Sequence, residues 1–409
     1  MKISTRFLIA RLAAGAAVLA FAQHANAAAA QEQQQKAKDV RPSKGALKAL
    51  QELQAAVNSK DKAAIQAKLP AAQSAASTKE DRYVLAQLQL AAAASANDAP
   101  GAMAAMDAML ATGVLTAAET APIYKNLAEL RYAAKQYDLA AAAIEKRLQL
   151  NPGDMDAIAL LVETRNAQGR SAEAVATLQR GIQLQSAGGR KPDEAWLKRA
   201  AALAYSAKLP NAADLARQWV AAYPSPTSWQ NSIAIYRNLN RPDIESVVDL
   251  MRLMRATGSM TDPSDLAVYL ETLNAQSNFI EAQTALEKAR QSSKFDASNA
   301  ELKEAAALID GKPKVTAADL EAAAKSAPSG TTLLRIGDRF YGLGAFAKAV
   351  EIYKQAGTKG ADASLVNQRV GVALATAGDK AGATAALKSV TGPRAGVAQF
   401  WLLYLQNRG

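Results

Sequence analysis

Large apolar side chains recur every three or four residues along most of the chain, the spacing that places them on one face of an α-helix. The apolar faces come in pairs, and near the end of the chain one pair is repeated about 34 residues later. A fixed period of this length predicts a helical hairpin repeated along the chain. The repeated positions are Gly337, Phe340, Gly344, Ala349, Tyr353 and Ala356 in the first pair and Gly371, Leu374, Gly378, Ala383, Leu387 and Val390 in the second.

Small residues stand at fixed places within each copy. Gly337 and Gly371 lie where the first helix must approach the second, and the absence of a Cβ permits that approach. Gly344 and Gly378 fall between the two helices, where a residue with positive φ ends a helix at little cost. Each copy is therefore predicted to contain two closely packed helices joined by a tight turn.

The length of the unit and its pattern of small and large apolar positions resemble the tetratricopeptide (TPR) family, whose units are helix-turn-helix hairpins. The resemblance implies an all-α fold, a right-handed α-solenoid of tandem hairpins with a C-terminal capping helix, in which each repeat rests only on its neighbours. Strong copies are expected at 121–154, 155–188, 263–296, 330–363 and 364–397, a fair copy from 193, and degenerate copies at 227–262 and 297–329.

Segments outside the strong copies complete the predicted domain organisation. Residues 43–120 have helical spacing in a weaker register and are interpreted as N-terminal hairpins that are degenerate repeats or a cap. The solenoid proper is predicted to occupy 121–397. The stretch from Val397 to Leu405 is too apolar for a free tail, so residues 398–409 are interpreted as the C-terminal part of a capping helix.

Residues 1–27 have the pattern of a secretory signal peptide. A basic head with Lys2 and Arg6 precedes an apolar stretch, and small residues up to Ala27 form a cleavage site. This predicts cleavage near Ala27 and a periplasmic or secreted protein, with retention as a membrane anchor as the alternative. Residues 28–42 are interpreted as a polar, flexible leader. No later segment is apolar enough to span a bilayer, so no transmembrane segment is expected after signal removal.

Composition narrows the chemistry. The single histidine, His24, lies in the predicted signal peptide, and the chain contains no cysteine. The mature protein would therefore lack the imidazole and thiol groups on which Ser-His-Asp catalysis, Cys-His catalysis and most zinc and copper sites depend. We expect no catalytic residue, no metal and no cofactor. Signal removal lowers the formal net charge from +11 to about +8, which is moderately basic.

Carboxylate chemistry remains as the enzyme alternative. Asp262 and Asp265 lie three residues apart on one helical face, as do Glu301 and Glu304, and glycoside hydrolysis needs two carboxylates. Such pairs on a surface helix are usually solvated, and Pro263 after Asp262 is typical of a helix N-terminus. A periplasmic hydrolase is therefore kept only as an alternative.

In the TPR family the first helices of the repeats form an inner groove that holds polypeptide ligands. Transferred by position, this implies a candidate partner-binding groove of charged, Tyr and Asn side chains: Lys125, Glu129, Tyr132, Glu163, Asn166, Lys198, Glu271, Asn274, Arg335, Asp338, Tyr341 and Arg369. The mixture suits an extended polypeptide, because Asn binds backbone groups and Tyr supplies amphipathic area. Arg335, Asp338 and Tyr341 are expected to be solvent-accessible. The alternative is local pairing, as between Arg335 and Asp338.

These features predict a non-catalytic protein-protein interaction scaffold or adaptor in the bacterial cell envelope, with envelope proteins as partners. The alternative from a different class is a module that binds an acidic polymer, such as peptidoglycan, lipopolysaccharide or exopolysaccharide, through its surplus positive charge. No nucleic-acid partner is expected, because basic residues are interspersed with acidic ones and no aromatic stacking platform is evident.

Overall fold

A computed structural model describes residues 40–291 and 298–408, and within these ranges the chain forms 21 α-helices and no strand. The prediction of an all-α fold built from helical hairpins is confirmed. The predicted signal peptide lies outside the described residues, as does most of the leader. No helix in the described part of the chain is long and apolar enough to cross a membrane. The chain divides into two compact units, Met1–Leu184 and Gln185–Gly409.

The described residues of the first unit, from 40 onward, form four consecutive helical hairpins. They are α1 (Lys44–Asn58) with α2 (Lys62–Ala75), α3 (Lys79–Ala96) with α4 (Ala99–Ala111), α5 (Ala117–Ala133) with α6 (Tyr137–Leu150), and α7 (Met155–Ala167) with α8 (Ser171–Ser186). The last turn of α8 reaches the boundary between the units. Leu50, Leu53 and Leu88 are among the buried side chains that form the core of the first two hairpins. Amphipathic helices of this kind are stable because neighbouring hairpins cover their apolar faces.

A buried carboxylate joins the first two hairpins. Thr78 caps α3, where its hydroxyl accepts from the Asp81 amide at 3.0 Å and its own amide donates to Asp81 Oδ2 at 3.0 Å. Asp81 also accepts from the amide and hydroxyl of Ser43, the cap of α1, at 2.7 and 3.0 Å. Burial favours the neutral acid, but the hydrogen bonds from Thr78 and Ser43 outweigh it and lower the pKa of Asp81.

The described residues of the second unit form six successive pairs of helices and a final helix. The pairs are α9 (Glu194–Ser206) with α10 (Ala212–Ala222), α11 (Pro226–Asn240) with α12 (Ile244–Ala256), α13 (Pro263–Ala275) with α14 (Phe279–Gln291), α15 (Ala300–Ile309) with α16 (Ala317–Lys325), α17 (Gly330–Gly342) with α18 (Phe346–Thr358), and α19 (Ala363–Ala377) with α20 (Lys380–Lys388), followed by α21 (Ala395–Asn407). The two stretches of degenerate sequence pattern are helical too, but α15 packs on α13 and α11 packs mainly on α10, so neither stretch is a closely packed hairpin.

The glycines predicted to shape each copy do so. A Cβ at Gly337 would meet the ring of Tyr353, so the absence of a side chain lets α17 pack directly on α18. Gly344 and Gly378 end their helices with φ values of 77° and 92°, in the left-handed region that glycine adopts readily. The close approach and the turn chemistry inferred from the repeat are therefore confirmed.

The second unit folds back on itself. Helix α12 lies against α19 and α21, which come more than 100 residues later, and α21 also contacts α10. Trp401 of α21 donates from Nε1 to the carbonyl oxygen of Asp249 at 3.1 Å, and the ring of Phe400 lies 5.5 Å from that of Tyr236. The expectation that each repeat rests only on its neighbours is wrong here, because α12 carries buried charges whose partners lie on later repeats.

Candidate functional site

In the first unit, the predicted groove positions lie on two consecutive first helices and are at least partly accessible. Lys125 on α5 and Asn166 on α7 are exposed. Glu129, Tyr132 and Glu163 are half-buried. The ring centre of Tyr132 lies 5.6 Å from that of Tyr137 in the same hairpin, so the two rings pack against each other. This face, the α5–α7 face, presents both signs of charge together with an amide and a phenol.

In the second unit, the predicted groove positions separate into two groups. Lys198, Glu271 and Arg335 are exposed and Asn274 is half-buried, whereas Asp338, Tyr341 and Arg369 are buried. The expectation that Asp338 and Tyr341 would be solvent-accessible is therefore wrong, and Arg369 has no accessible surface to offer a partner. The physical reason is that α12 of the same chain lies where a partner was expected.

Helix α12 brings two charged side chains into an otherwise apolar interior. Asp249 is fully buried and Arg252 is 2% exposed, among equally buried Leu250, Met251 and Leu253. An isolated charge in such surroundings is strongly destabilising, so each must be paired and hydrogen-bonded. Their partners come from three other helices, α14, α17 and α19. We call Asp249, Arg252, Glu281, Asp338 and Arg369 the charge cluster.

Arg252 sits at one side of the charge cluster. Its guanidinium makes a bidentate pair with Glu281 of α14, at 2.8 Å from Nε to Oε1 and 2.6 Å from Nη2 to Oε2. Nη1 donates to Asp249 at 2.9 Å and Nη2 to Asp338 at 3.2 Å. The same guanidinium lies 4.0 Å from the centre of the Tyr341 ring, a favourable cation-π geometry. Tyr341 is thus buried as the platform for an arginine of another helix.

Arg369 holds the other side of the cluster. It contacts Asp249 at 2.5 Å through Nη1, Asp338 at 2.9 Å through Nε, and Glu245 at 2.7 Å through Nη2. Tyr353 donates its hydroxyl to Asp338 at 2.7 Å. Asp338 therefore pairs with arginines of α12 and α19, and these contacts replace the local pairing with Arg335 that its spacing allowed.

The protonation states of the cluster follow from these contacts. Burial alone would raise the pKa values of Asp249 and Glu281, but the neighbouring arginines outweigh burial and lower both. Burial raises the pKa of Tyr341 to about 12, so its phenol stays neutral. The carboxylates of Asp249 and Glu281 remain ionised, act as permanent hydrogen-bond acceptors and are poor proton donors at neutral pH.

Sequence reasoning missed the partners on α12 and α14. In the apolar segment VVDLMRLM, at 247–254, Asp249 and Arg252 interrupt the apolar pattern three residues apart, which was the available signal. Glu281 carried no comparable signal. Among the described residues, no group of three or more Asp, Glu, His or Cys side chains could hold a metal ion.

Comparisons with known proteins assign no family. No known protein family matches the chain, and no curated protein matches it. Among solved structures, a chain of the complex of Naa15/Naa10 bound to HypK-THB is similar over 85% of this chain, with 12% sequence identity and a TM-score of 0.28. This chain spans 65% of the length of that one. At so low a TM-score the likeness carries no argument about function.

Proposed function

We propose that the protein is a non-catalytic protein-protein interaction scaffold or adaptor of the bacterial cell envelope, which binds a partner polypeptide on the α5–α7 face. The observation that carries the proposal is the contrast between the units. In the first unit every groove position is at least partly accessible, whereas in the second unit Asp338, Tyr341 and Arg369 are buried and used internally, and the exposed Lys198, Glu271 and Arg335 lie on three different helices. In a stack of helical hairpins, the contacts between neighbouring hairpins hold such a face in place, so no metal ion or cofactor is needed to order it.

Two further observations support a binding role without catalysis. The buried carboxylates of Asp249 and Glu281 have lowered pKa values, while a general acid needs a pKa raised toward the working pH. The half-buried phenol of Tyr132 and the exposed amide of Asn166 are groups that bind polypeptide through apolar area and backbone hydrogen bonds. The envelope setting rests on the basic and apolar pattern before Ala27.

A photo-crosslinking amino acid at Asn166 tests the binding face. We expect it to capture a defined envelope polypeptide, identified by mass spectrometry, that the same group at Ala142 does not capture. Ala142 is exposed on α6, the second helix of the neighbouring hairpin, and is the matched control. Replacing Lys125 and Asn166 by Ala should weaken capture by about tenfold or more while the melting temperature stays nearly unchanged.

Ionic strength separates this proposal from binding of an acidic polymer. A protein partner held by shape and hydrogen bonds should be recovered at both low and high salt, because screening affects only its exposed charges. Recovery of acidic polysaccharide alone, and only at low salt, would favour the polymer. Equal capture at Asn166 and Ala142 would mean that the α5–α7 face is not the binding surface.

A further inference from the structure

The second unit contains a pocket of about 680 Å³ beside the charge cluster. It is framed by the end of α12, the turn into α13, helix α14 and the turn between α17 and α18. Its size falls within the usual range for ligand pockets, about 300–1,000 Å³. Tyr341 is the one predicted groove residue that lines it, so this α12–α14 pocket is distinct from the α5–α7 face.

One wall of the α12–α14 pocket is apolar and adaptable. Met254 and Leu266 are buried in it, and Met260 and Phe346 are half-buried. Methionine side chains are flexible and polarisable, so a wall that contains them adjusts to the shape of an occupant. Leu343 extends the wall onto the surface, where 41% of the residue is exposed. An occupant that covers Leu343 must continue outside the pocket, as a polypeptide does.

A guanidinium with open hydrogen-bond donors lies in the same pocket. Arg255 is half-buried at the end of α12, and its hydrogen bond among the described residues joins Nη1 to the Tyr269 hydroxyl oxygen at a long 3.4 Å. A guanidinium has five N–H donors, so most of its capacity is unused. Burial opposes its charge, but Tyr269 and Glu281 outweigh burial and raise the pKa of Arg255. Arg255 is therefore a permanent cation shaped to receive a carboxylate.

In the charge cluster and the pocket lining, carboxylates and cations are equal in number, so the preference for an occupant comes from the unused donors of Arg255 and the position of Lys288. The three carboxylates of the charge cluster exceed its two arginines by one, and the nearby charge of Arg255 balances that excess. Lys288 is exposed on α14 at the mouth of the pocket and adds a positive charge. Asp262 on the rim is engaged in capping α13, accepting from the amide and hydroxyl of Ser264 at 2.9 and 2.7 Å. The pocket thus offers donors at Arg255 and a second cation at Lys288 to one incoming carboxylate.

We propose that the α12–α14 pocket binds a segment of a partner polypeptide in which an Asp or Glu side chain adjoins a large apolar side chain. The carboxylate pairs with Arg255 and Lys288, and the apolar side chain lies against Met254, Leu266 and Phe346. This is a second binding site, independent of the α5–α7 face, and its selectivity comes from the carboxylate because a neutral occupant would leave the donors of Arg255 unpaired.

Selection from a display library of short random peptides, fused through their C-termini so that no terminal carboxylate is free, tests this proposal. We expect peptides enriched on the full mature chain to carry Asp or Glu beside Leu, Met, Phe or Trp. For a labelled representative, Lys288→Glu and Arg255→Gln should each raise the dissociation constant by about tenfold. Lys354→Glu on α18, also an exposed lysine, is the control that should bind as the original does.

The outcomes are separable. In Arg255→Gln, changing the acid of the peptide to its amide should cost less than it does in the original protein, since only Lys288 is left to pair with that acid. Enriched peptides without an acid, or binding unaffected by Lys288→Glu, would overturn the proposal, and Lys288→Glu is at the surface and does not threaten the fold. If enrichment is lost only in the variant with Lys125 and Asn166 replaced by Ala, the peptides bind the α5–α7 face, and the proposal for the α12–α14 pocket is overturned. Laurate, a fatty acid, combines a carboxylate with an apolar chain and is the probe for a lipid occupant. Binding of laurate with no enriched peptide would mean that the pocket takes a fatty acid, and would overturn the proposal.

Discussion

Two arginines at the same repeat position show what decides the role of a residue here. Arg335 and Arg369 stand at the same place on the first helices of consecutive copies, yet Arg335 is exposed and Arg369 is 1% exposed. The difference is made by Asp249 and Glu245, which lie more than 100 residues earlier in the chain. Local sequence could identify the position as polar but could not show which copy would be covered.

The residue-scale prediction concerns Asp81. Asp81→Asn should lower the free energy of unfolding by about 1–3 kcal/mol, because a buried carboxylate that accepts from Ser43 and Thr78 becomes an amide with one acceptor oxygen. Asp319→Asn is the matched control, since Asp319 forms the same capping box with Thr316 on the surface without joining a second hairpin. Urea unfolding followed by circular dichroism should show a clearly smaller loss for Asp319→Asn. Equal losses would mean that the bonds between the hairpins contribute nothing.

Hairpins could be predicted from sequence because their determinants are local. The spacing of apolar residues, the glycine at the turn and the small residue at the crossing all lie within one copy, and the structure places Gly337 against Tyr353 accordingly. The degenerate copies are helical as well, since the apolar periodicity survives there without the repeat signature, but their two helices do not pack closely on each other. What failed at this scale was the assumption that a first helix of the solenoid must leave one face open.

The element-scale prediction tests the crossing of α17 and α18. Gly337→Ala should destabilise the second unit by about 1–3 kcal/mol, because the added methyl must displace Tyr353, which also donates to Asp338. Gly45→Ala on α1 is the control, since nothing but the Ser43 hydroxyl lies near its Cβ position, at 3.9 Å, and it should change stability by no more than about 0.5 kcal/mol. Thermal unfolding measures both. A neutral Gly337→Ala would show that the two helices can separate at no cost.

At the scale of the whole molecule, the charge cluster explains why one unit departs from a simple stack. Removing one member of a buried ion network leaves the others uncompensated, which typically costs about 3–5 kcal/mol. Asp249, Arg252 and Arg369 therefore favour the arrangement in which α12 meets α19 over any open alternative. That long-range pairing, rather than the repeat, determines which groove positions remain for a partner, and it could not be derived from a period of one hairpin.

The last prediction is that Arg369→Met destabilises the second unit by about 3–5 kcal/mol at neutral pH and weakens the loss of stability that acid causes in it. All four Trp residues of the chain lie within 185–409, so their fluorescence reports unfolding of that unit alone. In the original protein the lowered pKa values of Asp249 and Glu281 stabilise the folded state. This contribution is fully present above the pKa of a carboxylate in the unfolded chain, about 4, and is lost as the pH falls below that value. Without Arg369, the largest influence that lowers the pKa of Asp249 is gone, so burial is opposed less and this pKa rises. The ionised carboxylate is then less favourable in the folded state, so the difference between the two proteins should be largest above about pH 4 and should shrink on acidification. Arg335→Met, at the same repeat position on the surface, should follow the original protein at every pH. A constant difference across the titration would show that Arg369 acts through its packing and not through its charge.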